Sequence, residues 1–256
     1  MFKKKTYCKS IKRFIARIKG RFRNNLVKDF VSVEKYFKDK SGMEIGGPSP
    51  AFKAKGYIPV YKIMNMLDDV NFSNYTIWTN EAKKNKGCIV EEKIGKMYIA
   101  DATNLASIKD NVYDFILSSN NIEHIANPMK AIEQWILKLK QGGVLVIVAP
   151  RKEVTFDHKR EIVKFEHLLE DYNSNIDEHD LTHLKEILEL HDLSMNPQTE
   201  TFEKFKERCL KNYENRCLHH HVFDSKVLEE MCKYFSLLPI LTEKKQNDHI
   251  IIAKKL

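Results

Sequence analysis

The sequence predicts an α/β protein built on a doubly wound, mostly parallel sheet. Nearly continuous apolar runs, such as GVLVIVA at Gly143–Ala149, are typical of buried parallel strands. Between such runs, apolar residues recur at helical spacing, as at Pro128–Lys140. The 256 residues suffice for one such domain with a large insertion. We therefore expect helices to alternate with strands on both faces of one sheet.

The apolar patterns assign seven strands and three helices. The first strand ends in the turn at Gly42–Pro50, and the others are expected at Tyr75–Trp78, Met97–Ala100, Tyr113–Ser118, Gly143–Ala149, Leu237–Thr242 and His249–Ala253. The helices are expected at Val31–Asp39, Pro128–Lys140 and Ser225–Phe235, with Gly142 and Gly143 ending the second helix. Residues 29–150 and 225–256 thus form one core, and the last two strands can pair as a hairpin.

Positive charge is concentrated at the N-terminus. The chain has a net charge of +8, yet residues 1–28 hold eleven Lys or Arg and no Asp or Glu, which leaves 32 basic and 35 acidic side chains elsewhere. Apolar residues from Ile11 to Phe22 recur there at helical spacing, so we expect a basic amphipathic helix. We favour packing of its apolar stripe on the domain over contact with an anionic membrane surface or a partner enzyme. Nucleic acid is the least favoured partner.

The composition argues against secretion and against a membrane span. No run of 18 apolar residues occurs, and no apolar N-terminal segment precedes a small-residue cleavage site. We therefore expect a cytoplasmic protein, peripheral at the inner membrane surface if the basic helix binds lipid. The five cysteines lack CxxC spacing, so neither a disulfide framework nor a cysteine zinc site is indicated.

The turn GMEIGGPSP has the features of a nucleotide-cofactor turn. Gly46 and Gly47 allow the backbone to approach a ligand closely. Glu44 places a carboxylate beside the gap, which disfavours a phosphate and suits a ligand with amino and hydroxyl donors. S-adenosylmethionine meets that description. The GxGxxG fingerprint of a dinucleotide-dependent oxidoreductase is not present in this turn.

Polar residues also follow two later strands. Asp101 lies just beyond the strand in YIADATNL, where a carboxylate could accept from an exocyclic amine. In YDFILSSNNIEHIANP, Asn120, Glu123 and His124 follow a strand. Because the carboxyl ends of parallel strands share one edge, these residues are expected near the Gly-rich turn. We expect Glu123 at the cofactor edge and His124 as a packed, hydrogen-bonded residue.

The order EIGGPSP, IADATNL, DFILSSNNIEHIANP and LKQGGVLVIVAP resembles the class I S-adenosylmethionine-dependent methyltransferases over about residues 40–150. The resemblance implies a Rossmann-like, seven-stranded sheet with an antiparallel final strand. It implies S-adenosylmethionine as cofactor and S-adenosylhomocysteine as product. The implied contacts are Glu44, Gly46 and Gly47 at the methionine part, Asp101 at the adenine amine and Asn120 at the turn over the sulfonium. Pro48, Ala102 and Glu123 are further candidate cofactor contacts. Asp69, Asn71 and Glu81 compete for the ribose hydroxyls.

Residues 151–224 form a polar segment that we expect to be a helical insertion between the fifth and sixth strands and an acceptor-binding lobe. Eight of the ten histidines lie in it. In one hypothesis His158 or His220, in a catalytic set with Asp157, takes the proton from an acceptor hydroxyl. In a second, less favoured one, several histidines bind a divalent metal with Asp157, Asp171 or Asp180, as the spacing of His179 and His183 permits. In a third, they satisfy hydrogen bonds inside a polar lobe. No metal ligand set is assigned.

The insertion also resembles a narrower group. Its runs TFDHKREIVKFEHLLEDY, DLTHLKEILELHD and HHHVFD are similar to a bacterial methyltransferase subgroup associated with surface-polysaccharide (capsule or O-antigen) synthesis. The resemblance implies O-methylation of a sugar, nucleotide-sugar or polysaccharide acceptor. One alternative is a phosphoryl or phosphoramidate acceptor, which would need no base and could use Arg151, Lys152, Lys159 and Arg160. Another is a non-catalytic scaffold that docks through the basic helix. The sequence predicts no oligomeric state.

Overall fold

The structure is a computed structural model that describes residues 26–74, 88–91, 93–195 and 201–256. Most of the predicted N-terminal helix, the predicted strand Tyr75–Trp78 and Glu81 lie outside these residues. The strands are β1 (Ser41–Ile45), β2 (Met66–Asn71), β3 (Cys88–Val90), β4 (Lys93–Gly95), β5 (Met97–Ile99), β6 (Tyr113–Ser119), β7 (Leu139–Pro150), β8 (Leu237–Lys244) and β9 (Asp248–Lys255).

Seven of these strands form one mixed sheet in the order β5-β2-β1-β6-β7-β9-β8. The first five in this order are mutually parallel, and β9 runs antiparallel between β7 and β8. The predicted seven-stranded sheet with an antiparallel final strand is therefore confirmed. Strands β3 and β4 pair with each other as a separate antiparallel ribbon.

Helices pack on both faces of the sheet, and several of them lie between β7 and β8. They are α1 (Phe30–Val33), α2 (Val60–Ile63), α3 (Pro128–Lys138), α4 (Phe165–Asn173), α5 (Leu184–Leu190), α6 (Phe202–Leu210), α7 (Asn212–Asn215) and α8 (Ser225–Tyr234). Trp135 of α3 and Met231 of α8 are buried in the core on one face, and Phe52 and Tyr61 are buried in the core on the other. Within the described residues, no helix combines the length and apolar composition needed to cross a membrane.

Strand β2 contains two aspartates that interrupt its apolar pattern, and the sequence analysis therefore did not predict it. Strand β2 includes Asp68 and Asp69, and aspartate is uncommon in strands. Both are buried. Asp68 accepts hydrogen bonds from the backbone N–H of Lys96 at 2.7 Å and the hydroxyl of Tyr113 at 2.6 Å. Neighbouring elements thus supply donors to the buried carboxylate of Asp68, and Asn71 of the same strand donates to Asp69.

The chain after the Gly-rich turn forms only short helical segments. It makes a single 3₁₀ turn at Pro50–Phe52 and then the four-residue α2. Closely spaced prolines at 48, 50 and 59 remove backbone donors and break any longer helix.

Other helix bounds differ from the predicted ones as well. The predicted helix Val31–Asp39 is α1 followed by a 3₁₀ turn. Helix α3 ends at Lys138 rather than at Gly142, because the chain enters β7 at once and both glycines lie in that strand.

Candidate active site

A cavity of about 370 Å³ opens at the carboxyl edge of the sheet, where β1, β2, β5 and β6 end. Strands β2 and β6 flank β1 on its two sides, so the strand order reverses at this point. Doubly wound sheets bind their ligands at such a switch point. The lining is mostly contributed by the segments that follow these four strands, with Glu178 and Arg216 added from the insertion. The cavity therefore has one wall from the sheet and one from the insertion.

The Gly-rich turn leaves room for a ligand because two positions exclude a side chain. Gly46 has φ +77°, and a Cβ there would lie 2.9 Å from Nδ2 of Asn121. A Cβ on Gly47 would lie 2.3 Å from Cδ of Glu44. Both glycines and Pro48 line the cavity, as the sequence predicts.

Glu44 is fully buried directly behind this turn. Its Oε2 accepts from the hydroxyl of Tyr61 at 2.5 Å, and that hydroxyl accepts from the backbone N–H of Ser49 at 2.6 Å. Its Oε1 is buried and has no hydrogen-bond partner among the described residues. Burial outweighs the hydrogen bonds from Ser49 and Tyr61 and raises the pKa of Glu44 to about 7. An unsatisfied buried carboxylate oxygen fits the ammonium group of S-adenosylmethionine.

Of the three candidates for the ribose hydroxyls, Asn71 lines the cavity. Its Nδ2 donates to Oδ2 of Asp69 at 2.7 Å, which fixes the orientation of the amide. Asp69 is 1% exposed and does not belong to the lining. Asp69 therefore orients Asn71, and the amide oxygen of Asn71 is the acceptor suited to a ribose hydroxyl.

Asp101 and Ala102 lie in the cavity wall, at the position expected for the adenine amine. Oδ1 of Asp101 accepts from the backbone and the hydroxyl of Thr103, at 2.8 and 2.7 Å. Oδ2 accepts from Nη2 of Arg216 at 2.9 Å. A carboxylate oxygen can accept two hydrogen bonds, so Oδ2 retains capacity for a further donor.

Arg216 joins the insertion to the sheet across the cavity. Besides Asp101, it pairs through Nη1 with Oε2 of Glu178 at 3.1 Å. Its guanidinium lies 5.5 Å from the ring centroid of Phe72, which follows β2. The three contacts connect one insertion residue to the ends of two strands, and they close one side of the cavity.

The segment after β6 contributes different residues from those expected. Asn120 has φ +48° and an exposed side chain, and it is Asn121 that lines the cavity. Glu123 is buried outside the lining, and its Oε2 has no hydrogen-bond partner among the described residues. Burial raises the pKa of Glu123 to about 7, against the opposing effect of His219.

His124 is the histidine that faces the cavity. Its Nδ1 lies 3.1 Å from the carbonyl oxygen of Leu218, and a carbonyl can only accept, so Nδ1 carries the proton. The lone pair of the neutral ring therefore resides on Nε2. Burial and the nearby His219 lower the pKa of His124 well below its usual value. This ring is a neutral imidazole at pH 7.

A buried ionic network stands behind His124. The ring of His219 packs edge to face on His124 with centroids 4.5 Å apart, and its Nδ1 lies 2.5 Å from Oδ2 of Asp157. Oδ1 of Asp157 accepts from Nη1 of Arg160 at 3.1 Å. Burial alone would raise the pKa of Asp157, but His219 and Arg160 outweigh it and lower it to about 2. Burial alone would lower the pKa of His219, but Asp157 raises it above its usual value. We therefore assign Asp157 to positioning His219.

The two histidines expected to act as the base do not line the cavity. Nε2 of His158 lies 3.0 Å from Oδ2 of Asp192 in a part-exposed pair. His220 is 1% exposed, and its Nε2 lies 3.0 Å from Nδ2 of Asn212, one layer behind Glu178. A general base must reach the acceptor hydroxyl directly or through one water. His124 replaces both residues as the candidate base.

The sequence analysis placed His124 near the site but expected it to be a packed, hydrogen-bonded residue. It did not identify Asn121, Glu178 or Arg216 as residues of the site. Asn121 and His124 belong to the strand-end motif NNIEHIANP, so their place in the chain was an available signal. Glu178 and Arg216 lie in polar stretches with no local pattern, and only the packing of the insertion on the sheet brings them to the cavity. A group with metal-ligand spacing, His167, Asp171, His183 and His221, lies elsewhere in the insertion.

Comparison with known proteins bears on the fold. Residues 65–147 match a family model described as a methyltransferase domain. The structure is similar to that of a SAM-dependent methyltransferase from Methanosarcina mazei, with 16% sequence identity, coverage of 91% of this chain and 99% of the other, and a TM-score of 0.50. A SAM-dependent methyltransferase from Aquifex aeolicus is 13% identical, with coverage of 89% and 90% and a TM-score of 0.44. No curated protein matches this chain significantly in sequence.

Proposed function

We propose that this chain, a class I S-adenosylmethionine-dependent methyltransferase, methylates a hydroxyl of a sugar or sugar-linked group during synthesis of a bacterial surface polysaccharide. The observation that carries the proposal is the position of His124 in the cavity wall, with its Nδ1 held by the carbonyl oxygen of Leu218. S-adenosylmethionine, when bound, supplies a methyl group on an already activated sulfonium. A sugar hydroxyl is a very weak acid, so the protein must provide a base near it.

The described residues divide the remaining tasks between them. Glu44 binds the ammonium of the cofactor, Asn71 its ribose and Asp101 its adenine amine. Nε2 of His124 accepts the proton of the acceptor hydroxyl. Glu123 has a carboxylate oxygen within 4.8 Å of ligand nitrogens of both His124 and His219, so it stabilises the positive charge that then forms on His124.

The charges around the cavity favour a neutral acceptor over a phosphoryl group. Among the described residues that line it, Arg216 is the one Lys or Arg, and it is already paired with Asp101 and Glu178. Arg151 donates to the carbonyl oxygens of residues 245 and 246, and Arg160 is buried with Asp157. An anionic acceptor would require a cation available for bidentate pairing. A sugar as the source of the hydroxyl is supported by the resemblance of the insertion to the polysaccharide-associated subgroup.

The base assignment is tested with His124→Ala and with His158→Ala as its matched control. Methyl transfer from labelled S-adenosylmethionine is measured under single-turnover conditions, and affinity for S-adenosylhomocysteine is measured by calorimetry. We expect His124→Ala to lower turnover by about 10²–10⁴-fold with little change in cofactor affinity. His158→Ala should retain turnover. Equal turnover of the two variants would refute the assignment.

The acceptor class is tested by offering nucleotide-sugars, oligosaccharides and phosphorylated sugars in parallel with the same labelled donor. We expect label on a neutral sugar hydroxyl, in a methyl ether that survives mild alkali and is located by NMR. Label on a phosphoryl oxygen would overturn the hydroxyl proposal. Failure of the unmodified chain to bind S-adenosylhomocysteine would instead support a non-catalytic scaffold.

A further inference from the structure

We propose that the insertion contains a structural zinc site formed by His167, Asp171, His183 and His221. Each of these residues offers one ligand atom, and the four atoms all lie within 4.8 Å of one another. His167 and Asp171 are one turn apart on α4, His183 directly precedes α5, and His221 lies in the segment before α8. The ligands thus come from three separate stretches of the chain. Zinc is the metal chosen because three imidazoles and one carboxylate suit it.

The measured spacings fit a tetrahedral ion. Two ligand atoms at about 2.0–2.1 Å from a tetrahedral zinc lie about 3.3 Å apart. Nε2 of His167 is 3.1 Å from Nε2 of His183 and 3.5 Å from Oδ2 of Asp171. That same oxygen is 3.4 Å from Nε2 of His221. Three edges of the expected tetrahedron are therefore already present.

Buried polar atoms in this group lack other partners. Oδ2 of Asp171 is inaccessible to solvent and has no hydrogen bond to any described residue. The side chain of His221 is 1% exposed, and its Nε2 lies 3.4 Å from this oxygen. The same Nε2 lies 3.2 Å from the carbonyl oxygen of Ala126, so zinc would replace that hydrogen bond and the ring proton would move to Nδ1. Such buried groups are costly unless paired or bound to metal.

The outer nitrogens of two rings have carboxylates nearby. Nδ1 of His167 lies 3.7 Å from Oε2 of Glu170, and Nδ1 of His183 lies 3.8 Å from Oε2 of Glu186. Metal-ligating histidines commonly direct their second nitrogen to a carboxylate, which orients the ring and makes the ligand more basic. This arrangement supports ligation through Nε2 of both rings.

The site adjoins the cavity wall without belonging to the cavity. Nδ2 of Asn127 donates to the backbone oxygen of Asp171 at 3.0 Å, and the backbone N–H of Ala126 donates to Glu178 at 2.9 Å. Four protein ligands complete a tetrahedral shell, so the ion has no position open for substrate. We assign it to holding the insertion against the segment that carries His124, and this role is independent of the acceptor proposed above.

The test begins with protein purified without a histidine tag and dialysed against metal-free buffer. Elemental analysis should find about one zinc per chain in the unmodified protein. His167→Ala and His183→Ala should lose it, and His179→Ala should keep it. His179 is the matched control because it lies in the same insertion, is exposed and pairs with Asp177 outside the group.

A second measurement covers variants that fold poorly. Chelator-treated unmodified protein is titrated with Zn²⁺ by calorimetry and with Co²⁺ by visible absorption, which reports a tetrahedral site. Glu170→Gln, which keeps all four ligands, should weaken zinc binding by about 10–100-fold. Zinc should also raise the melting temperature of the unmodified protein and leave that of His183→Ala unchanged.

Several results would overturn the site. One is chelator-treated unmodified protein that binds Zn²⁺ no more tightly than His167→Ala and His183→Ala do. Another is zinc retained equally by the ligand variants and by His179→Ala, which would indicate adventitious binding. Affinity for S-adenosylhomocysteine, measured on the same samples, reports separately on the methyltransferase function.

Discussion

The two walls of the cavity are built in different ways. The sheet wall consists of short segments that directly follow parallel strands, and its residues Asn71 and Asp101 each lie at or next to a strand end. Glu44 is fully buried behind this wall and does not itself line the cavity. The insertion wall is formed by Glu178 and Arg216, which reach the cavity through ion pairs with residues far away in sequence. The sheet wall is thus set by topology, and the insertion wall by tertiary ionic contacts.

Charged groups that lie behind the two walls, outside the cavity lining, also differ. Oε1 of Glu44 has no hydrogen-bond partner among the described residues, which suits a wall that receives a ligand. In the insertion, Asp157, Arg160 and His219 are buried and paired with one another. A group left unsatisfied is available for binding, whereas a mutually satisfied network holds the structure in place.

The largest effect on stability is expected from a substitution that breaks the buried network of Asp157, Arg160 and His219. Asp157→Ala leaves the buried Arg160 and His219 without their shared counter-ion, and we expect the free energy of unfolding to fall by about 3–5 kcal/mol. If the two walls are separate, affinity for S-adenosylhomocysteine should change by less than about threefold in the protein that remains folded. Denaturant unfolding and calorimetry measure the two quantities, with part-exposed His158→Ala as control. A variant as stable as the unmodified protein would contradict the network's structural role.

Glu44→Gln tests the role of the buried carboxylate behind the sheet wall. It removes the carboxylate that binds the cofactor ammonium, so we expect affinity for S-adenosylhomocysteine to fall by about 10–100-fold. The apoprotein should become more stable at pH 8, because it no longer holds a buried charge. Calorimetry and thermal melting give the two readouts. Unchanged affinity would show that Glu44 is not the cofactor contact.

Gly47→Ala tests whether the position of the Glu44 carboxylate behind the same wall matters. The new Cβ would lie 2.3 Å from Cδ of Glu44, so the buried side chain must move. We expect a loss of about 1–3 kcal/mol in the free energy of unfolding, together with weaker binding of S-adenosylhomocysteine. Chemical denaturation and calorimetry test this. Gly142→Ala lies outside the cavity lining and is itself strained at φ +76°, so it serves as a control for the binding measurement alone. Full affinity in Gly47→Ala would mean that the carboxylate position is not critical.

The smallest expected effect is a pH dependence of cofactor binding. The raised pKa of Glu44, about 7, means that its carboxylate ionises between pH 6 and 8, whereas the amino group of a free amino acid such as S-adenosylhomocysteine stays protonated over that range. Affinity for S-adenosylhomocysteine should therefore rise about eightfold from pH 6 to 7.5 and then level off. The contribution of Glu44 to stability has the opposite sign. It is complete below the unfolded pKa of 4.5 and is lost as the pH rises through 7. Glu44→Gln should lack the rising limb of the binding curve, and a rising limb that persists would assign it to another group.

The fold could be predicted where the pattern of the chain is locally consistent. The apolar run GVLVIVA and the helical stripe that includes Trp135 correspond to β7 and α3. Strand β2 was missed because two aspartates interrupt its apolar pattern, and the buried Asp68 is tolerated only when donors from other parts of the chain are in place. The segment after the Gly-rich turn gave no clear pattern, because its prolines limit it to a 3₁₀ turn and the short α2.

The amino-acid sequence by itself predicted the mixed sheet and brought Gly46, Gly47, Pro48, Asp101 and Ala102 to one cavity. This was possible because the carboxyl ends of parallel strands meet at one edge, so that residues next to strand ends are neighbours without further information. Only the tertiary structure decided which histidine faces the cavity. His124, His158 and His220 are chemically alike in sequence, and their roles differ because burial, hydrogen-bond partners and nearby charges differ. Those surroundings are assembled from distant parts of the chain, as the contact of His124 with Leu218 shows.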